Sequence, residues 1–282
     1  MSEVAKGKLY IIFSAMIFGL MPLGASVAYR GGSNALQLVF WRLIIVIPLY
    51  WLLARKQGQR LKMKKKQFLQ VQLLSLGFSI TPVTLYMSYY YIDSGVATTL
   101  HFMYPLFVIL GCWLFYKEKP GLKMWLCLGL TLTGLFMNMP RENAQSMGIL
   151  LALVSALTFS FYVVYLAKSG LKSLGSMALL FHISIAGSIQ TGLLATLFHS
   201  WTPMNSLGIA ASIVFAIIVS FGAMYFQRGT FLIGPQRAAI FSTLEPLTSI
   251  VVGLVFLGDY ITWFSGAGLV LILLSSLILS LE

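Results

Sequence analysis

The chain has 282 residues and a net charge of +12, with 9% charged and 59% hydrophobic residues. Because soluble domains carry roughly 25% charged residues, this composition excludes a soluble globular protein and indicates a polytopic membrane protein. Its apolar runs are about 20 residues long, the length that a helix needs to cross the hydrocarbon core of a bilayer. Transmembrane barrels alternate apolar and polar positions over shorter segments, and this chain does not.

Ten apolar stretches predict ten transmembrane helices, which we call spans one to ten in chain order. The first follows Lys6 and Lys8 but continues for about 20 residues without a small-residue cleavage site, so we expect a retained helix and not a signal peptide. Short polar connectors leave no room for a soluble domain. The predicted spans cover residues 9–29, 35–54, 68–92, 95–116, 122–139, 148–167, 174–198, 207–227, 238–257 and 261–281.

The chain contains an internal duplication with an interval of 141 positions. The residues that recur at this interval are Gly7 and Gly148, Ser14-Ala15 and Ser155-Ala156, Phe18 and Phe159, Pro105 and Pro246, and the acids Glu118 and Asp259. This predicts one five-helix repeat in residues 1–141 and another in residues 142–282. Five crossings return the chain on the opposite face, so the second repeat is expected to be inverted, as in many secondary transporters.

The basic residues predict the orientation of the helices. Of the 19 Lys and Arg residues, Arg30 and Arg141 fall outside and Arg42 falls within a span, which leaves 19 − 3 = 16 inside when the N-terminus is cytoplasmic. This positive-inside bias predicts that both termini are cytoplasmic in a plasma-membrane protein. The basic run at residues 62–66 is compatible with binding of nucleic acid or anionic lipid. In a cytoplasmic loop it is better explained as a topogenic signal, so we expect no nucleic-acid partner.

Glu245 is the main candidate for a functional residue. It lies about eight residues into span nine, hence some 12 Å deep, where an ionisable group is costly and commonly functional. Together with Ser242 and Ser249 it forms a polar stripe at positions i, i+3 and i+7. The alternative is a protonated or hydrogen-bonded acid that serves packing alone.

Further candidates for the substrate path lie in spans two, three and four. His101 and Tyr104 occupy the stripe of span four that matches Ser242 and Glu245 in the repeat, although a structural role for His101 is nearly as plausible. Arg42 lies about seven residues inside span two, where it either binds a substrate carboxylate or acts as a structural clamp. Tyr86 and Tyr90 form either a stacking surface for substrate or part of an interfacial aromatic belt.

Prolines inside the spans indicate hinges. Pro105 and Pro246 interrupt the backbone hydrogen bonds of spans four and nine at equivalent positions, and Pro82 is expected to do the same in span three. Because Pro105 and Pro246 recur in both repeats, we predict a mechanical role for them in transport.

The sequence favours a transporter over an enzyme. It contains no HExxH, GxSxG or paired carboxylates, and it has no P-loop to use ATP directly. The two cysteines, Cys112 and Cys127, lie in apolar runs without metal-ligand or CxxC spacing, so we expect neither a metal nor a cofactor. The expected partners are a small-molecule substrate and the lipid bilayer, with the chain acting as a monomer or homodimer. A channel and a non-transporting scaffold or accessory protein are the alternatives.

Several motifs resemble those of EamA-type members of the drug/metabolite transporter superfamily. They are Asp93-Ser94-Gly95-Val96-Ala97, Tyr104-Pro105, Lys117-Glu118, Trp125, Gly129 and Gly134, then Gly234-Pro235-Gln236-Arg237-Ala238-Ala239, Leu244-Glu245-Pro246, Leu257-Gly258-Asp259, Trp263 and Gly268, with Phe40-Trp41-Arg42 in span two. The resemblance implies ten helices in two inverted repeats around a central cavity. It also implies movement of amino acids or other small metabolites, commonly outward across a bacterial inner membrane. Tyr104 departs from the pattern, since a less bulky apolar residue usually precedes the first proline.

Overall fold

The computed structural model describes residues 2–92, 94–137, 145–252 and 263–280, and these residues form helices joined by short connectors. A short 3-10 helix, Leu171–Leu174, is the exception to the α-helical pattern of the described residues. The α-helices are α1 (Glu3–Phe18), α2 (Met21–Arg30), α3 (Ala35–Ile44), α4 (Ile47–Lys56), α5 (Lys65–Ser88), α6 (Ser94–His101), α7 (Tyr104–Tyr116), α8 (Leu122–Met137), α9 (Ser146–Lys168), α10 (Ser176–Leu197), α11 (Ser206–Ile233), α12 (Pro235–Ser242), α13 (Glu245–Val252) and α14 (Trp263–Ser280).

The helices follow the ten predicted spans, which confirms an all-α membrane protein. Spans one, two, four and nine each consist of two helices: α1 with α2, α3 with α4, α6 with α7, and α12 with α13. By length and composition, seven stretches of the described residues are long and apolar enough to cross a membrane, and spans five and ten are shorter apolar helices. Many large apolar side chains are exposed on the surface, as expected for a surface that faces lipid.

Prolines explain the four interruptions. The first helices end at Phe18, Ile44, His101 and Ser242, and the prolines that follow are Pro22, Pro48, Pro105 and Pro246. Every one of these helices therefore ends at the residue four positions before a proline. Proline has no backbone N–H to donate, and its ring clashes with the carbonyl of residue i−4, so the helix cannot continue past that carbonyl. The proline then takes the second position of the next helix, where its N–H is not needed.

This pattern tests two predictions about helix continuity. The stripe of Ser242 and Glu245 assumed one continuous helix, but Ser242 ends α12 and Glu245 begins α13. Pro82 has no N–H to donate to the backbone hydrogen bonds of span three, as expected, but it does not divide the span, because α5 continues through this proline. The interruptions at Pro22 and Pro48 were not predicted.

The packing of the helices has the twofold pattern expected of an inverted repeat. Span one packs on span eight, and the equivalent pair in the other repeat, spans six and three, packs in the same way. Span two packs on its own equivalent, span seven, and span five packs on its equivalent, span ten. A methyl group added to Gly7 would lie 2.5 Å from Ile233 Cγ2, and one added to Gly148 would lie 2.6 Å from Ile92 Cγ2. Gly7 and Gly148, like Ile92 and Ile233, are 141 positions apart, so the two repeats make the same contact twice.

Candidate functional site

Arg42 lies on α3 about seven residues, or about 10 Å, from the start of span two. The side chain is buried, with only 6% exposed. Its guanidinium carbon lies 5.4 Å from the centre of the Phe78 ring, and Nη1 lies 4.0 Å from the Met21 sulfur. The Met21 thioether is a weak hydrogen-bond acceptor, and the face of the Phe78 ring attracts the charge without accepting a conventional hydrogen bond. Most of the guanidinium N–H groups are therefore not hydrogen-bonded by these two contacts.

Tyr86 lies beside Arg42 at the end of α5. Its hydroxyl donates to the Met21 sulfur at 3.4 Å, and the Arg42 guanidinium acts on it electrostatically. Because the phenol proton goes to Met21, the lone pairs of the phenol oxygen are available to the guanidinium. Arg42, Tyr86 and Met21 therefore form one cluster, which joins spans one, two and three.

His101 ends α6 and is held by a neighbouring helix. Its Nδ1 lies 2.9 Å from Ser155 Oγ, and the Ser155 hydroxyl donates to the Ala152 carbonyl at 2.6 Å. Since the serine proton is used in this way, His101 Nδ1 carries a proton and donates to Ser155. The ring also packs against Tyr104, with centroids 5.5 Å apart.

Tyr104 begins α7 and contacts span nine. Its hydroxyl donates to the Ala239 carbonyl at 3.3 Å and also interacts with Ser242, whose hydroxyl donates to the Ala238 carbonyl at 2.7 Å. Tyr104 is buried and its ring makes an edge contact of 4.7 Å with Phe159. His101, Tyr104 and Ser242 thus form a second cluster of spans four and nine, which contacts span six through Ser155 and Phe159.

Glu245 lies close to both clusters. Its carboxylate interacts electrostatically with the hydroxyls of Tyr86 and Tyr104, and also with that of Tyr89. Glu245 is the first residue of α13. The N-terminal end of a helix carries a partial positive charge, which favours a carboxylate at this position.

The interruption of span one packs against the interruption of span nine. A methyl group added to Gly19 would lie 2.8 Å from the Glu245 carbonyl oxygen and 2.6 Å from Thr248 Cβ. Only glycine allows this approach, and Met21 begins α2 two residues later. Met21 contacts Arg42, so the interruption of span one contacts the start of α13 through Gly19 and Arg42 through Met21.

Tyr90 occupies a different environment from the other predicted residues. It follows the end of α5, is 53% exposed, and stacks on Tyr29 at a centroid distance of 5.6 Å. Its hydroxyl accepts a hydrogen bond from the Ala35 backbone N–H at 3.1 Å, which fixes the start of span two. The contacts of Tyr90 therefore place it above the site, at the end of the helices.

A basic cleft with a volume of about 450 Å³ opens where the connector after α7 meets the turn between α11 and α12. Its charged lining residues are Glu118, Lys119, Lys123, Lys168 and Arg237, and Glu118 forms an ion pair with Lys168. The cleft lies at the helix ends and not among the residues around Glu245. Among the residues that the structure describes, no three His, Cys, Asp or Glu side chains are grouped to hold a metal ion.

Met21 and Phe78, which contact Arg42, and Tyr162, whose ring lies 5.1 Å from that of Phe78, were not identified from the sequence. Met21 directly precedes Pro22, just as Tyr104 and Glu245 directly precede their prolines. A position directly before a proline inside an apolar run would therefore have been a useful criterion for selecting Met21 as a site residue. Ser249, the third member of the predicted stripe, lies where the structure describes the backbone only.

Comparison with known proteins adds sequence and structural relatives. The model of the EamA-like transporter family matches residues 5–139 and 146–281. An uncharacterized transporter of Synechocystis, sll1319, is 26% identical over 89% of this chain and 80% of its own length. The uncharacterized inner membrane transporter YicL of Salmonella typhimurium is 24% identical over 100% of this chain and 97% of its own. One crystal structure of a protein superposes with a TM-score of 0.78 at 15% identity, covering 98% of this chain and 97% of the other.

Proposed function

We propose that this chain, which belongs to the EamA-like transporter family, exports amino acids or similar small metabolites across the plasma membrane by alternating access. Membership in the family identifies a membrane transporter and assigns no enzyme activity. The substrate class, the outward direction and the cytoplasmic position of both termini are parts of the proposal. The substrate path includes Arg42, Tyr86, His101, Tyr104 and Glu245, with Ser242 and Tyr90 as further members.

The observation that carries the proposal is the meeting of interrupted spans around Glu245. The interruptions of spans one and nine are in contact through Gly19, and Glu245 and Tyr104 begin the second helices of spans nine and four. Interrupted helices at the interface of inverted repeats are the usual location of substrate sites in secondary transporters. Prolines at such points let each helix bend while its two halves stay rigid.

The alternative is a scaffold or accessory protein that moves no solute. The charged residues argue against it, because a scaffold gains nothing from a buried arginine, Arg42, and a half-buried glutamate, Glu245, within the apolar spans. Comparing metabolites in the medium of cells that overexpress the protein with those of cells carrying the empty vector tests export. We expect one group of amino acids or related metabolites to accumulate outside the overexpressing cells. An unchanged medium at confirmed membrane expression would contradict export.

A further inference from the structure

We infer that Arg42 and the Tyr162 hydroxyl form a binding subsite for a carboxylate group of the transported substrate. This inference rests on the proposed transport function and extends it to a specific chemical group and its two ligating residues. The residues come from spans two and six, one from each repeat.

The charge of Arg42 has no acidic partner among the described residues. The structure describes three of the seven acids of the chain, Glu3, Glu118 and Glu245. Glu3 pairs with Lys6 and Glu118 pairs with Lys168, and no ion pair joins Glu245 to Arg42. A buried guanidinium presents five N–H donors in a planar fork that matches the two oxygens of a carboxylate.

Tyr162 provides an independent observation on the same subsite. It lies on α9 with 1% of its surface exposed, and its hydroxyl has no hydrogen-bond partner among the described residues. The Tyr162 ring lies 5.1 Å from the ring of Phe78, the same ring over which the Arg42 guanidinium lies, and the hydroxyls of Tyr50 and Tyr162 lie in one electrostatic environment with Arg42. Tyr50 does not satisfy the Tyr162 hydroxyl, because the Tyr50 hydroxyl donates to the Ser220 carbonyl at 2.9 Å. A buried hydroxyl without a partner is unfavourable in the empty site and becomes favourable when an acceptor binds.

The neighbours of the subsite define the rest of the ligand. Met21 and Phe78 contact Arg42 directly, so the part of the ligand next to the carboxylate meets apolar and polarisable groups. The second repeat has no equivalent of the Arg42 charge. The residues that match Arg42 and Tyr86 at the interval of 141 are Ile183 and Gln227, so the second repeat does not reproduce the charge.

Three linear probes that differ in their charged groups test the inference by calorimetric titration of the purified protein in detergent. They are L-norleucine, which has both a carboxylate and an ammonium group, hexanoate, which lacks the ammonium group, and pentylamine, which lacks the carboxylate. We expect saturable binding of norleucine and hexanoate in the millimolar range or below, and none of pentylamine. Absence of binding by both carboxylates, or equal binding of pentylamine, would overturn the inference.

Substitutions separate a binding role from a structural one. Arg42→Gln is expected to weaken hexanoate binding about tenfold or more, and Tyr162→Phe about two- to tenfold. Arg42→Lys retains the charge but loses the planar fork, so it should recover only part of the affinity. The matched controls are Arg55→Gln, at an exposed arginine in the last turn of α4, and Tyr165→Phe, one turn further along α9. Both controls should bind like the wild type.

The thermal stability of the protein without ligand provides the second measurement. If Arg42 and Tyr162 serve binding, Arg42→Gln removes a buried charge that has no acidic partner among the described residues, and Tyr162→Phe removes a buried hydroxyl without a hydrogen-bond partner there. Both variants should then melt at or above the wild-type temperature. A structural clamp predicts a clear loss of stability in Arg42→Gln, and that result would reject the inference. Binding without flux in proteoliposomes would contradict the transport function and leave the subsite intact. If Arg42→Gln transports with an unchanged KM, the transport function is supported and the carboxylate subsite is contradicted.

Discussion

Substituting Gly208 by alanine should destabilise the protein through a backbone clash between spans one and eight. A Cβ on Gly208 would lie 2.3 Å from the Gly31 carbonyl oxygen and 2.8 Å from its carbon. Real Cβ contacts stay above 3.0 Å, so the two backbones must separate by about 3.0 − 2.3 = 0.7 Å. No flexible side chain can absorb this movement, and overpacking of this kind costs about 1–3 kcal/mol.

Gly129 is the matched control for this clash. It lies within α8, is exposed, and has no atom within 4 Å of the position of an added Cβ. Gly129→Ala should therefore be neutral, or stabilising by up to about 1 kcal/mol through helix propensity. Thermal denaturation followed by size-exclusion chromatography in detergent measures both variants. If Gly208→Ala melts with the wild type, or Gly129→Ala loses as much as Gly208→Ala, the close approach of spans one and eight is refuted.

Three further predictions concern transport and topology. Glu245→Gln should abolish pH-driven accumulation but spare exchange of substrate for substrate if Glu245 carries the coupling proton, and it should abolish both if Glu245 binds a substrate ammonium group. Unchanged flux and pH dependence would contradict both roles. Combined Pro105→Ala and Pro246→Ala should restore the two helices and reduce the transport rate strongly at near-normal expression, whereas full activity would leave the prolines a packing role. A cysteine introduced at Gly32 should react with an impermeant reagent from outside and one at Gln59 should not, and external labelling at Gln59 would reverse the predicted orientation.

The sequence predicted the fold because the forces that determine it act along the chain. The hydrophobic length of the spans and the internal duplication are local or periodic features. Seven stretches of the described residues are long and apolar enough to cross a membrane, and the family model matches the chain twice, at residues 5–139 and 146–281. The interruptions at Pro22 and Pro48 also follow from a local rule. They were missed because they do not recur in the second repeat, whereas Pro105 and Pro246 do.

The candidate site was less predictable because it depends on contacts between distant spans. Glu245, Arg42 and Tyr86 stood out as polar groups in apolar runs, but the sequence does not show that Tyr86 interacts with both of the others. The partner of His101 is Ser155, which lies in the other repeat. Met21 and Tyr162 are ordinary in an apolar sequence, and only the contacts of Met21 with Arg42 and of Tyr162 with Phe78 make them part of the site.

Counterflow in proteoliposomes tests the central claim most directly, namely that the interrupted spans around Glu245 carry solute by alternating access. The protein is reconstituted with a solute found to accumulate in the medium, and uptake of the labelled solute is measured with and without unlabelled solute inside. We predict saturable uptake that is accelerated by internal solute, because a carrier returns faster when it is loaded. Uptake that neither saturates nor responds to internal solute would indicate a channel. No uptake at all in correctly reconstituted vesicles would contradict transport of that solute.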